Sequence, residues 1–200
     1  MLDLAHRRLV YGRRIRVLAR HLADLLPRDA SVLDVGSGDG LLARRVMELR
    51  PDLVIRGVDV LARSESHIPV ELFDGVKLPF ADRAFDAVTM VDVLHHAAKQ
   101  ERLLEEMTRV TKRVILIKDH MVRGAFAWRT LAFMDWVGNA RHGVSLPYSY
   151  WSADRWSQAY ARLGLRVVEQ RDRLGLYPWP ASLVFERDLH FIALLERASP

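Results

Sequence analysis

The spacing of apolar positions changes repeatedly along this 200-residue chain, and each change marks an element. In "RRIRVLARHLADLL" (residues 13–26), Ile15, Leu18, Leu22 and Leu25 share one helical face with arginines opposite, and Pro27 ends the run. "SVLDV" then reads as a short buried strand. "GLLARRVMELR" returns to helical spacing through Leu41, Leu42, Val46 and Leu49, and Pro51 follows it. "LVIRGVDV" and the shorter "VELFD" are a second and a third strand. "AFDAVTMVDVL" is long and apolar, as a strand covered on both faces should be. "ERLLEEMTRV" is a helix, and the β-branched "RVILIKD" is a fifth strand. Strands alternating with helices predict a parallel sheet in a doubly wound α/β layer with right-handed crossovers.

After Asp119 the pattern shifts. Residues 120–151 hold Phe126, Trp128, Phe133, Trp136, Tyr148, Tyr150 and Trp151. Within them "AFAWRTLAFMDWV" reads as a helix and "GNARHGVSLPYSY" as a loop. "SADRWSQAYARLG" is a further helix, with Ser152 as N-cap and Gly164 as its stop. "LRVVEQRDRL" and "DLHFIALLER" are two more strands, joined by a loop containing Pro178 and Pro180.

Composition narrows the chemistry. The chain has no cysteine, which excludes disulfides, thiolate zinc sites and cysteine nucleophiles. Its formal charge is +5 and its pI about 9.9, which raises nucleic acid as a partner. The basic residues are interspersed with acids, as in "RLLEEMTRVTKR", and the densest cluster, His6, Arg7, Arg8, Arg13, Arg14 and Arg16, is short. A solvated surface is the stronger reading. "MLDLAHRRLVYGRR" lacks the apolar segment of a secretion signal, and no run approaches the roughly 18 apolar residues of a membrane span. The expectation is a soluble, cytoplasmic protein.

The chemistry concentrates in "VLDVGSGDG", residues 32–40. A dinucleotide fingerprint needs G-x-G-x-x-G, but position 41 is leucine, and a P-loop's Gly-Lys-Ser/Thr is absent. Asp34 and Asp39 beside the turn suit a ligand with a cationic part better than a pyrophosphate. Asp59 ends the second strand, 19 residues after Gly40. A carboxylate there can accept from both ribose hydroxyls, or simply be a solvated strand end. Asp74 and Gly75 end the third strand. They suit an adenine edge, the carboxylate accepting from an exocyclic amine, or form an ordinary turn.

With "VLDVGSGDG", "GVDV" and "FDGVKLPFADRAFDAVTMVDVLHH", the sequence resembles the class I S-adenosylmethionine-dependent methyltransferases. It is most similar to the type 11 branch that includes ubiquinone and menaquinone biosynthesis methyltransferases. Leu78, Pro79, Phe80, Asp82, Phe85, Asp86 and Val88 form the marker phrase. The resemblance covers 32–96 strongly and 97–200 weakly. It implies one Rossmann-like α/β domain over 1–200, a doubly wound seven-stranded sheet of order 3-2-1-4-5-7-6 with strand 7 antiparallel. Residues 1–30 would form a helical cover, and 120–163 an aromatic insertion supplying an acceptor pocket.

The implied cofactor is S-adenosyl-L-methionine. Gly36, Ser37, Gly38 and Gly40 would admit its methionyl part, with Asp34 near the ammonium. Asp59, with Val60 beside it, would hold the ribose, and Asp74 and Gly75 the adenine. Asp92 would border the methionyl group and the acceptor pocket. Tyr11 and Arg14 would lie on the N-terminal cover, Arg14 pairing with the cofactor carboxylate or standing on the surface. One departure is plain: the family's Lys-Pro-Gly-Gly turn before the fifth strand is missing from "RVTKRVILI".

A hydroxyl acceptor would profit from a general base. His95 and His96 follow the fourth strand, where such a base or simple packing residues would sit. His120, beside Asp119 at the end of the fifth strand, is the other candidate. No metal-ligand spacing accompanies these pairs. The partner expected is a small, apolar or aromatic methyl acceptor. Methylation of nucleic acid or protein is a competing reading, although the Asn/Asp-Pro-Pro-Tyr motif of DNA amino-methylating enzymes is absent. Cofactor binding without catalysis is another. Trp128, Phe133 and Trp136 would line the pocket or pack inward on the sheet, and "LPYSYW" reads as a lid or pocket wall.

Overall fold

The computed structural model describes residues 11–139 and 146–198. The basic run at 6–8 and residues 140–145 of the expected loop lie outside them. In chain order the elements are α1 (Gly12–Leu25), β1 (Ser31–Val35), α2 (Leu41–Leu49), β2 (Val54–Asp59), β3 (Val70–Leu72), β4 (Phe85–Val91) and a 3₁₀ turn (Leu94–His96). After them come α3 (Gln100–Val110), β5 (Thr111–Val122), α4 (Ala127–Asn139), β6 (Trp151–Ser152), α5 (Ala153–Arg162), β7 (Leu165–Arg171), α6 (Ser182–Phe185) and β8 (His190–Arg197).

The sheet order is β3-β2-β1-β4-β5-β8-β7, with the short β6 paired to β5. The first five strands run parallel, and β8 is antiparallel to both its neighbours. This is the expected 3-2-1-4-5-7-6 order with one addition. The two-residue β6, carrying Trp151, brings the strand count to eight.

The period of two along each strand sorts side chains to opposite faces. Leu33, Val35, Val88, Met90, Ile115 and Ile117 pack with Leu103, Leu104 and Met107 of α3 and Trp156, Ala159 and Tyr160 of α5. Val32, Ala87, Val114 and Leu116 pack on the other side with Leu18, Leu22 and Leu25 of α1 and Ala43 and Val46 of α2. A smaller cluster of Ala127, Leu131 and Leu189 seats α4 over the end of the sheet. No helix among the described residues is long and apolar enough to cross a membrane.

The missing turn before β5 has a simple consequence. Thr111 both ends α3 and opens β5. Its hydroxyl donates to the Met107 carbonyl at 2.6 Å, and the Thr108 hydroxyl donates to Leu104 at 2.8 Å. These bonds satisfy carbonyls near the helix end without glycine. The register with β4 shifts between Phe85 and Ala87 to absorb the tight junction. The "LPF" segment is tied down by a half-buried arginine. Arg109 donates to the carbonyls of Leu78 and Phe80 and pairs with Glu106, which accepts from the Leu78 N–H.

Candidate active site

Strand order reverses between β1 and β4, so the carboxyl ends of the parallel strands open onto a crevice there. The turn after β1 lines it. Gly36 takes φ +73°, and a side chain on it would meet Val93 at 2.4 Å, so only glycine lets this turn pack against the segment after β4. Gly38 takes φ +59° and faces open space, with no heavy atom within 4 Å of where a Cβ would stand. The N–H groups of Gly36 and Ser37 donate to the Val58 carbonyl at 2.8 and 3.1 Å. Gly40 donates to the Ser37 carbonyl at 2.9 Å.

Asp59 ends β2 and fastens this turn. Its Oδ2 accepts from the Gly38 N–H at 2.8 Å and its Oδ1 from the Leu61 N–H at 2.9 Å. Each oxygen keeps a second lone pair for another donor. Asp34 is buried beneath the turn, where its Oδ1 accepts from the Thr89 hydroxyl at 2.7 Å. Burial pushes its carboxyl up to about 6 against the lowering effect of that hydrogen bond. Asp74 is exposed and closes its own turn, its Oδ1 accepting from the Val76 and Lys77 N–H groups at 2.8 and 2.7 Å. Those bonds hold its carboxyl below the usual range. Gly75 passes close to the exposed Val60, bringing the ends of β2 and β3 together.

Asp92, just past β4, takes φ +56°. It is ion-paired with both Arg14 and Lys118. Burial opposes its charge, but the two cations hold it well below the usual carboxylate range. Arg14 is therefore committed to Asp92, with Tyr177 Oη 3.4 Å away, rather than standing free on the surface. Tyr11 is half-exposed at the start of α1. Lys118 is fully buried, and burial pushes it down to about 8 in spite of Asp92. It donates toward His190 Nδ1 at 3.2 Å, while His190 Nε2 donates to the Phe185 carbonyl at 2.9 Å. Burial and Lys118 keep His190 well below its ordinary value, a neutral ring.

The three candidate histidines separate by environment. His95 Nδ1 lies 2.6 Å from Asp119 Oδ1, and the Leu94 N–H donates to Asp119 Oδ2 at 3.0 Å. Asp119, the chain neighbour of His120, thus orients His95 instead. His120 Nδ1 stands farther off, 3.4 Å from Asp119 Oδ1 and 3.5 Å from His95 Nδ1. Burial and Lys118 lower His120 to about 4, so it is neutral at ordinary pH. His96 is half-buried, with its ring 4.0 Å from that of His95.

Asp135 completes the cluster. It is buried on the inner face of α4, 3.4 Å from His95 Nε2, and accepts a hydrogen bond from the Tyr150 hydroxyl. Burial disfavours a charged His95, but Asp119 and Asp135 on its two sides raise it to about 10. Three carboxylates, Asp92, Asp119 and Asp135, therefore face three cations, Arg14, Lys118 and His95.

Asp135 and Lys118 did not emerge from the sequence as site residues, yet each carried a signal. Lys118 interrupts an apolar strand, and Asp135 is the lone acid of an apolar helix. The aromatics of α4 do not pack inward on the sheet. Ala127, Leu131 and Asp135 face inward, while Trp128, Phe133 and Trp136 are exposed. "LPYSYW" divides: Tyr150 faces His95 at 5.5 Å between ring centroids, and Trp151 is buried with its indole N–H on Gln100. Much of the basic charge is spent in surface pairs, including Arg45–Glu48, Arg102–Glu105, Arg162–Glu101 and Arg166–Glu196.

A family model described as a methyltransferase domain matches residues 5–170. A demethylmenaquinone methyltransferase of Corynebacterium urealyticum is 36% identical over 115 residues, 55% of this chain and 50% of that protein. A ubiquinone/menaquinone biosynthesis C-methyltransferase of Bordetella parapertussis is 26% identical over 138 residues, 60% of this chain and 54% of that protein. The chain thus spans about half the length of the curated relatives it matches. Among solved structures, a SAM-dependent methyltransferase from Aquifex aeolicus superposes with a TM-score of 0.62 at 18% identity, covering 91% of each chain. At that identity the likeness concerns the fold.

Proposed function

Since this chain belongs to the methyltransferase-domain family, we propose that it transfers a methyl group from S-adenosyl-L-methionine to a small apolar or aromatic acceptor. The observation that carries the cofactor half is the coupling of Asp59 to the glycine turn through the Gly38 N–H. It joins a diol-accepting carboxylate to an open backbone loop at the switch point of the sheet. The residues fit the cofactor in chemistry as well. Asp34 supplies negative charge beneath the turn for an ammonium, and Gly38 leaves room for close approach. Asp74 and Gly75 stand at the end of β3, where an adenine edge would be read.

The bound cofactor supplies an activated methyl on a cationic sulfur. The chain's task is then to orient the acceptor, exclude water and manage one proton, and proximity alone can lower a barrier by several kcal/mol. For a hydroxyl acceptor the proton would pass to the His95–Asp119 pair, in which the carboxylate fixes the imidazole and raises its basicity. In the present arrangement Asp135 and Tyr150 cover His95 Nε2. His95 serves as a base only when neutral, so the proton that Asp119 and Asp135 hold on it would first have to leave to solvent as the acceptor takes over the space beside Asp135. The paired surface arginines favour a small acceptor over nucleic acid.

The test is turnover. The protein is incubated with methyl-labelled cofactor and organic-phase metabolite extract, and the label is followed into product with release of S-adenosylhomocysteine. Label in an extractable small molecule is the expected result. Binding without any release of S-adenosylhomocysteine would contradict the catalytic reading, and label transferred instead to RNA, DNA or protein would contradict the small acceptor.

A further inference from the structure

Much of the outer face of α4 is left exposed among the described residues. Trp128, Phe133, Trp136 and Val137 are all exposed along it. The loop through α6 extends the same surface with Trp179, which is 80% exposed, Leu183 and Val184. The two pieces are held together: the Phe133 and Phe185 rings stack at 6.5 Å between centroids, and Arg187 Nη2 donates to Thr130 Oγ1 at 2.8 Å. Soluble monomers seldom present a contiguous patch of this kind without a use for it.

The charges on the patch select among occupants. The only acid of α4, Asp135, is turned inward to His95. Arg129 and Arg187 are exposed beside the aromatic rings, against one exposed acid, Asp188, among the described residues of 123–139 and 179–189. A second copy related by a two-fold axis would set this patch against itself and bring four exposed arginines together with only two exposed acids. An anionic bilayer surface satisfies both features. Arginine meets the lipid phosphate, and tryptophan and phenylalanine enter the boundary between headgroup and acyl chain.

We propose that α4 and the α6 loop form a peripheral docking face for an anionic lipid bilayer. The same helix faces His95 with its inner side, so docking would place the candidate acceptor site at the lipid boundary. The inference goes beyond the methyl-transfer reading and stands without it, because its readout needs neither cofactor nor acceptor.

The experiment is co-sedimentation of the whole chain with sucrose-loaded vesicles, with tryptophan emission followed in parallel. Phosphatidylcholine vesicles are compared with vesicles holding about 30% phosphatidylglycerol, enough to give the surface a clear negative potential. Binding to the anionic vesicles with a blue shift is expected, weakening as salt is raised and the Debye length shrinks. Phe133→Ser with Trp136→Ser should weaken it by about tenfold or more, given the apolar area withdrawn from the interface, with an unchanged melting transition. If that double variant is poorly folded, Trp179→Ser at a loop site with little burial gives a smaller loss of the same sign. Absence of wild-type binding, or equal binding by the folded variants, would overturn the proposal. So would a vesicle-free dimer that the same substitutions dissociate. Calorimetric cofactor binding by the variants should be unchanged, which separates failure here from failure of the methyl-transfer reading.

Discussion

Replacing Asp135 by asparagine isolates the electrostatics of the cluster. Asparagine keeps the shape, and its amide oxygen can still accept from Tyr150, but the negative charge 3.4 Å from His95 Nε2 is gone. At that separation a unit charge pair is worth about 5 kcal/mol at an effective dielectric of about 20 and about 1 kcal/mol in water. The corresponding fall in the His95 pKa is about 1 to 3.5 units, at 1.36 kcal/mol per unit. Asp119 remains in place at 2.6 Å, so the value should fall from about 10 yet stay above the ordinary histidine value of 6.5.

The sign for stability follows. A histidine raised in the folded state contributes fully below about 6.5, and its contribution is lost as pH rises through about 10. In Asp135→Asn that loss should begin at the same pH, above about 6.5, but be complete at lower pH and total less. The assay is NMR titration of histidine-labelled protein, with the His95 signal assigned from a His95→Gln variant. Wild-type His95 should show no titration between pH 6 and 8.5, and Asp135→Asn should bring its midpoint down toward or into that window. A wild-type midpoint near 6.5, or one that does not move in the variant, would refute the reasoning.

Two further substitutions separate the turn from its scaffold. Gly36→Ala should cost about 1–3 kcal/mol in denaturant unfolding, because φ +73° strains alanine and its methyl would meet Val93; it should also weaken cofactor binding, and an unchanged affinity would show that the turn does not touch the ligand. Arg109→Met should lower stability by about 2 kcal/mol by leaving the buried Glu106 with only partial compensation, with cofactor affinity measured by calorimetry unchanged.

The layered sheet could be read from the chain because its strands obey a single physical rule. Val32, Leu33 and Val35, and likewise Val114 through Ile117, are apolar on both faces, as strands covered by helices on both sides must be. The turn and Asp59 were legible because glycine spacing and a strand-terminal acid are local features. The acid–base cluster was not. Which histidine Asp119 engages depends on a 3₁₀ turn 24 residues away, and nothing in the adjacency of Asp119 and His120 announces it. Helix α4 misled the reading for a different reason. Its only acid faces in and its large aromatics face out, the reverse of the inward packing that aromatic residues suggest.

The central claim, that the turn and Asp59 together hold the cofactor, is tested most directly by isothermal calorimetry with S-adenosylhomocysteine on wild type and Asp59→Asn. Asparagine retains one acceptor toward the backbone but loses the charge that strengthens hydrogen bonds to a ribose, each worth about 1.5–3 kcal/mol. The account expects wild-type binding and a loss of about 10- to 100-fold or more in a variant with an unchanged circular dichroism spectrum. Absence of wild-type binding, or equal affinity in a folded Asp59→Asn, would contradict it.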